Sequence, residues 1–287
     1  MRPSTTGGIA ALALAGALLG LSVPTTALAA KSGAEPDLAL ILEKSAAARG
    51  GLEAWRKVRT MVWTGHVERA DASGPRLPFM FQQKRPNLTR FEIATDRDTS
   101  VRVFDGRQGW KLRPGASGRP ALQPYSEAEV RAARDALVID GPLLDAVTKG
   151  VQVTLDGVDE VEGRKAYRLG AKLRSGTMQR VWIDAESFLE VKYDRPARDA
   201  AGRHTTVAVY LRNYQAYEGL KIPFTIETGA PGGGAIADRL VIDRIAINVN
   251  LADGMFARPG LRTSRRGITV DTRPQPGTPG APAAASR

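Results

Sequence analysis

Phe79, Phe81, Gln83 and Arg85 occupy alternate positions of one short run, FMFQQKR, and in a strand that spacing sets all four on one face. Two aromatic rings closed off by a guanidinium suit one kind of chemistry: non-covalent retention of an apolar ligand, with a cation at the rim to donate hydrogen bonds. The neighbouring runs extend the theme. Phe91 and Ile93 alternate with Arg90 and Glu92, and Val101 and Val103 flank Arg102. With Trp63 from the run before, the pattern predicts a cavity wall of Trp63, Phe79, Phe81, Phe91, Ile93, Val101 and Val103.

Signatures of catalysis point away from an enzyme. The chain has no cysteine, and its two histidines, His66 and His204, are far apart and outside any HExxH spacing. No G-x-S-x-G elbow, Walker loop or G-x-G-x-x-G is present, and the sequence names no pair of inward carboxylates. Asp156, Asp159, Glu160 and Glu162 are acidic neighbours without the ligand order of a calcium loop, and VDEVEGRKAY reads as a hairpin with an exposed turn. The expectation is a protein without catalytic residues, metal or cofactor. Asn87-Leu88-Thr89 has the form of a glycosylation acceptor but follows Pro86 into a strand.

The two ends differ in kind from the middle. Arg2, an apolar run from Ile9 to Val23 and the small-residue sequence Ala27-Leu28-Ala29 predict a secretory signal over 1–29, cleaved near Ala29, and hence a periplasmic location. The run is shorter than the roughly 20 residues of a spanning helix. From Arg258 onward the chain carries six arginines against Asp271 among many Pro, Gly and Ala residues. That composition predicts a basic disordered tail over 258–287, because it cannot bury enough apolar surface to offset its ordering entropy. The net charge of +11 suits contact with an anionic membrane surface. Nucleic acid is the rival partner for such charge, but export and aromatics set in strand-like stripes argue against it.

Between the ends, residues 30–257 read as one domain. DLALILEKSAAA, preceded by Pro36 and stopped by Gly50-Gly51, predicts a helix with Leu38 and Leu42 on its apolar face. A short amphipathic turn follows over 52–58. Ser126 with Glu129 forms a capping-box pattern that opens a central helix, and Asp140-Gly141-Pro142 predicts a second one, LLDAVTK, carrying Leu143, Leu144 and Val147. The remainder alternates with period two between tight turns and without long crossovers. The fold class is mainly β (α+β): a curved antiparallel half-barrel of about eleven strands with a helical lid, which curls because large twisted sheets do. Leu38, Leu42, Leu143, Leu144 and Val147 are the lid candidates.

Lys84-Arg85-Pro86-Asn87-Leu88, then Phe91, then Val103-Phe104-Asp105-Gly106 with Trp110 resembles the periplasmic outer-membrane lipoprotein carriers, the LolA/LolB-like superfamily. The order of elements agrees across residues 36–257. The resemblance implies an open half-barrel with helices over an apolar cavity, and it implies that Arg85 hydrogen-bonds lid elements to lock the carrier closed. It further implies a carrier for lipoprotein acyl chains or another lipid, meeting an inner-membrane releasing complex and an outer-membrane acceptor. A non-transporting envelope sensor or interaction protein on the same fold is the alternative. The basic tail and the loops at 114–120, 195–203 and 229–235 are this chain's own.

Overall fold

The structure, a computed structural model, describes residues 37–260 apart from 72, 96–97, 116–119, 138, 199–202 and 230–234. The expected signal sequence and nearly all of the expected tail therefore lie outside the described residues. Two helices come first, α1 (Leu38–Ala48) and α2 (Leu52–Arg56), followed by β1 (Thr60–Arg69), β2 (Leu77–Lys84), β3 (Leu88–Ala94), β4 (Thr99–Phe104), β5 (Gly109–Arg113) and β6 (Ala121–Pro124). Helix α3 (Glu127–Asp135) leads to β7 (Gln152–Val161), β8 (Arg164–Lys172), β9 (Met178–Asp184), β10 (Glu190–Arg198), β11 (His204–Tyr217), β12 (Leu220–Gly229) and β13 (Ile236–Ile247). A 3-10 turn at Asp253–Phe256 follows β13.

All thirteen strands form one sheet in the order β6-β5-β4-β3-β2-β1-β13-β12-β11-β10-β9-β8-β7. Two meanders run outward from a central β1–β13 pair that is itself antiparallel, and the outer strands β6 and β7 leave the curved sheet unclosed. The expected half-barrel is thus present with more strands than the sequence pattern marks. The addition is β6, whose four residues pair with β5 from Trp110↔Pro124 to Arg113↔Ala121 and are too few to show a period.

Local chemistry sets the helix ends. The Asp37 carboxylate accepts from Leu40 N at 2.8 Å to cap α1, and Gly50 ends it at φ +104°, where a Cβ would lie 2.2 Å from Gly219 O. Ser126 and Glu129 make both bonds of the capping box that opens α3. The second central helix does not form. Residues 139–150 are consecutive turns instead, broken by positive φ at Ile139, Gly141 and Asp145, and an α-helix cannot pass through residues in that region.

One face of the sheet holds two apolar clusters. Trp55 of α2 packs with Val58, Met61, Phe79, Leu144, Ile222 and Ile242. Ile41 of α1 packs with Leu143, Leu169, Val181 and Ile183, with Leu38 and Leu42 of the same helix at the margin. The opposite face carries a third cluster of Val62, Met80, Val103 and Ala246, covered by Leu251 and Phe256 from the C-terminal segment. Among the described residues no helix is long and apolar enough to cross a membrane.

Candidate functional site

The ladder between β1, β2 and β3 fixes the expected wall. Trp63 pairs with Phe81 and Phe81 with Phe91, while Phe79 pairs with Ile93, so all five residues share a face. Their rings touch: Trp63 and Phe81 meet edge to face at 5.7 Å between centroids, Phe81 and Phe91 at 5.5 Å, and Phe79 and Phe91 at 5.7 Å. Burial separates them. Phe79 is 1% exposed and belongs to the filled core, whereas Trp63, Phe81, Phe91 and Ile93 are half-buried along its margin.

Val101 and Val103 are not part of that wall. The β3–β4 register pairs Phe91 with Arg102 and Ile93 with Ser100, and a one-residue offset sends every side chain to the other face. Both valines are fully buried, with Val103 in the cluster under the C-terminal segment. In their place Arg102 shares the inner face. The wall continues instead in the other direction, through half-buried Val67, Phe224, Ile226 and Leu240, since Val67 pairs with Leu240 and Leu240 with Ile226. The same two-residue alternation in 222–226 and 236–242 carries the signal for these positions.

Two donors on this face have no partner among the described residues: the indole Nε1 of Trp63 and Nε2 of Gln83. Gln83 Oε1 is engaged, accepting from Ile139 N at 3.1 Å. Buried N–H groups without acceptors are costly, so the wall combines apolar contact area with donors free for an oxygen.

Arg85 stands at the end of β2 and gathers the elements that cover the inner face. Its Nε donates to Val58 O at 2.8 Å and its Nη2 to Trp55 O at 3.3 Å, the carbonyl end of α2, where a cation is favourable. Nη2 also lies 2.7 Å from Asp140 Oδ2 in the turn segment. The other Asp140 oxygen is 2.7 Å from Lys149 Nζ, and the Asp140 carbonyl accepts from Arg49 Nη1 at 3.0 Å. Arg49 in turn pairs with Glu190 at 3.1 Å, both side chains being 8% exposed, and lies over the Trp55 ring. Burial pushes the Lys149 ammonium below its usual range, although Asp140 opposes the shift. Arg56 clamps Asp145 with two bonds of 3.0 and 2.9 Å.

The neighbours of Arg85 in the chain tie the same corner to further elements. Lys84 Nζ reaches Leu251 O and Asp253 Oδ1, each at 2.7 Å. Asn87 Nδ2 donates to Ala133 O at 2.8 Å and Arg134 O at 3.0 Å, capping the C-terminus of α3. Sequence reasoning marked Arg85 but missed Asp140, Arg49, Glu190 and Lys149, which are distant in the chain and belong to no local pattern.

The lid candidates separate. Leu144 packs with Trp55 and Phe79 beside the wall, while Leu38, Leu42 and Leu143 pack over the β8–β9 half of the sheet. Val147 points to solvent at 92% exposure, because the turns that replace the expected helix rotate it away. Of the acidic neighbours, Asp159 in β7 pairs with Arg168 at 2.8 Å and Glu162 in the turn after it with Arg212 at 2.5 Å, while Asp156 accepts from the Thr154 hydroxyl at 2.7 Å. Among the described residues no group of His, Cys, Asp or Glu is arranged to hold a metal ion.

No family model and no curated protein matches this chain. Among solved structures it is similar to a LolA superfamily protein of Nitrosomonas europaea, at 15% identity and a TM-score of 0.48, over 77% of this chain and 98% of that one. A DUF1329 family protein of Desulfovibrio piger matches at 13% identity and 0.48, over the same shares of both chains. The first bears the family name that the Lys84–Asn87 motif resembles. Likeness at this level carries no argument about binding or activity, and the half-barrel rests on the strand order and registers described above.

Proposed function

We propose that this protein is a non-catalytic carrier that holds an acyl chain of a lipoprotein or another lipid against the inner face of its half-barrel in the periplasm and moves it towards the outer membrane. The observation that carries this reading is the half-buried aromatic row Trp63–Phe81–Phe91, continued by Ile93 and by Ile226 and Leu240. It lies beside a covering segment fastened by Arg85 and Asp140. Apolar side chains left at the margin of a filled core retain area that an acyl chain can remove from water. The free donors of Trp63 and Gln83 would meet the carbonyl oxygen of an acyl ester.

Each buried methylene contributes about 0.8 kcal/mol, so one chain of ordinary length gains on the order of 10 kcal/mol on an apolar surface. Cargo held that firmly would not be released. A closed, empty state that competes with cargo lowers the net gain, and the Arg85–Asp140 pair stabilises that state by fastening α2 and the 139–150 turns over the end of the wall. An inner-membrane releasing complex and an outer-membrane acceptor are the partners this role requires.

Lipid extraction and mass spectrometry of the protein purified from the cell envelope tests the reading. Co-purifying acylated species support the carrier. A stoichiometric protein partner with no lipid would replace it with an envelope sensor or interaction protein on the same fold.

A further inference from the structure

At one end of the sheet, away from the β1–β2 aromatic pair, a cleft of about 870 Å³ opens between α3, the β4–β5 turn and the β8–β9 turn. Four arginines line it from three separate elements: Arg107 from the β4–β5 turn, Arg131 and Arg134 from α3, and Arg174 from the β8–β9 turn. All four are exposed. Among the described residues the guanidinium groups of Arg107, Arg131 and Arg174 have no hydrogen-bond or ion-pair partner, and that of Arg134 donates to Arg107 O at 3.2 Å. Two carboxylates share the cleft. Asp135 is already engaged by the hydroxyls of Ser175 and Thr177, at 2.6 and 2.8 Å, and Glu127 sits in the first turn of α3, where the helix dipole favours its charge.

Hydrogen bonds from neighbouring residues fix the segments that carry the arginines. Asn87 caps the C-terminus of α3 at Ala133 O and Arg134 O. The Asp105 carboxylate fixes the turn that carries Arg107, accepting from the backbone N–H of Arg107 at 2.8 Å and of Gln108 at 2.7 Å. Asp135 ties α3 to the turn that carries Arg174. Planar donors with unfilled bonds, carried on fixed segments, match the oxygens of a phosphate ester, and Tyr125, Pro124 and Val130 add an apolar side to the cleft.

We propose that this cleft is a binding site for a phosphate-bearing anion of headgroup size, either the headgroup of an anionic phospholipid or a soluble phosphate ester. The site stands on its own residues and does not depend on the acyl-binding role of the wall.

Isothermal titration of the full chain with glycerol phosphate, dihexanoylphosphatidylglycerol and dihexanoylphosphatidylcholine, at low salt, tests it. The wild-type protein should bind an anionic probe, and Arg131→Gln with Arg174→Gln should weaken that binding by about tenfold or more. The charge-matched control Arg76→Gln with Arg244→Gln, outside the cleft, should leave it unchanged. Equal affinity for the two anionic probes identifies a soluble ester, and a preference of about tenfold for the lipid identifies a headgroup. Failure of both anionic probes to bind, or equal loss in the cleft and control variants, would overturn the site. Retention of monoolein, an uncharged acyl probe, reads the wall separately, so loss of one site is distinguishable from loss of the other.

Discussion

Arg85 Nη2 lies 2.7 Å from Asp140 Oδ2 while the same side chain donates to the carbonyls of Trp55 and Val58 at the end of α2. One strand-end arginine thus fastens a helix and a turn segment that are far apart in the chain. The Asp140 side chain is 6% exposed and also faces Lys149. Neutralising it therefore removes the counter-charge of two cations, which keep only carbonyl acceptors, whereas removing Arg85 leaves the carboxylate one cation.

Asp140→Asn should consequently destabilise the fold more than Arg85→Leu, by about 3 kcal/mol against about 2 kcal/mol, since removing one member of a buried pair leaves uncompensated charge. Urea unfolding of the two variants measures the order, and a larger loss for Arg85→Leu would contradict it.

The two faces of the sheet should respond differently to truncation. Phe81→Ala removes a half-buried wall ring and should weaken binding of an acyl probe by about tenfold or more, at modest cost in stability. Val103→Ala lies on the opposite face and should cost about 2 kcal/mol of stability without changing probe affinity. Phe79→Ala, in the filled core, should cost about 3 to 5 kcal/mol. Probe titration beside urea unfolding separates the three, and unchanged affinity in Phe81→Ala would remove that ring from the site.

Much of this was legible in the sequence because strand parity is a local property. The alternation of Phe79, Phe81, Gln83 and Arg85 needs only period two, and Ser126 with Glu129 needs only three residues of helix. The face of Val101 and Val103 was not legible, since it depends on which residue of β3 meets which of β4, and the connection between the strands sets that register. Asp140-Gly141-Pro142 carries the composition of a helix start, yet Arg85, Lys149 and Arg49 hold Asp140 in a turn. No local pattern announces contacts between residues 49, 85, 140 and 190, and β6 was too short to mark itself.

Acid should loosen α3 late. Burial opposes ionisation of Glu129, but bonds from Lys111 and the Ser126 backbone, with Lys111 and Arg102 nearby, bring its carboxyl down from 4.5 to about 2. A carboxyl depressed in the folded state adds stability that is fully present above its unfolded value and is lost as pH falls through the folded one. Urea midpoints measured across pH should show that contribution disappearing between about 4.5 and 2. Glu129→Gln should lower stability at neutral pH and flatten the curve in that window, and an unchanged curve would show that the carboxylate adds nothing.

The central claim is that the Arg85–Asp140 fastening holds an empty closed state in competition with bound lipid. Its most direct measurement is the molar ratio of lipid to protein, by quantitative mass spectrometry, for wild type and Arg85→Leu purified in parallel from the envelope, with circular dichroism to verify the fold. Loss of a charge-assisted bond from the closed state should raise retained lipid by about tenfold. A folded Arg85→Leu protein with the wild-type ratio would contradict the account.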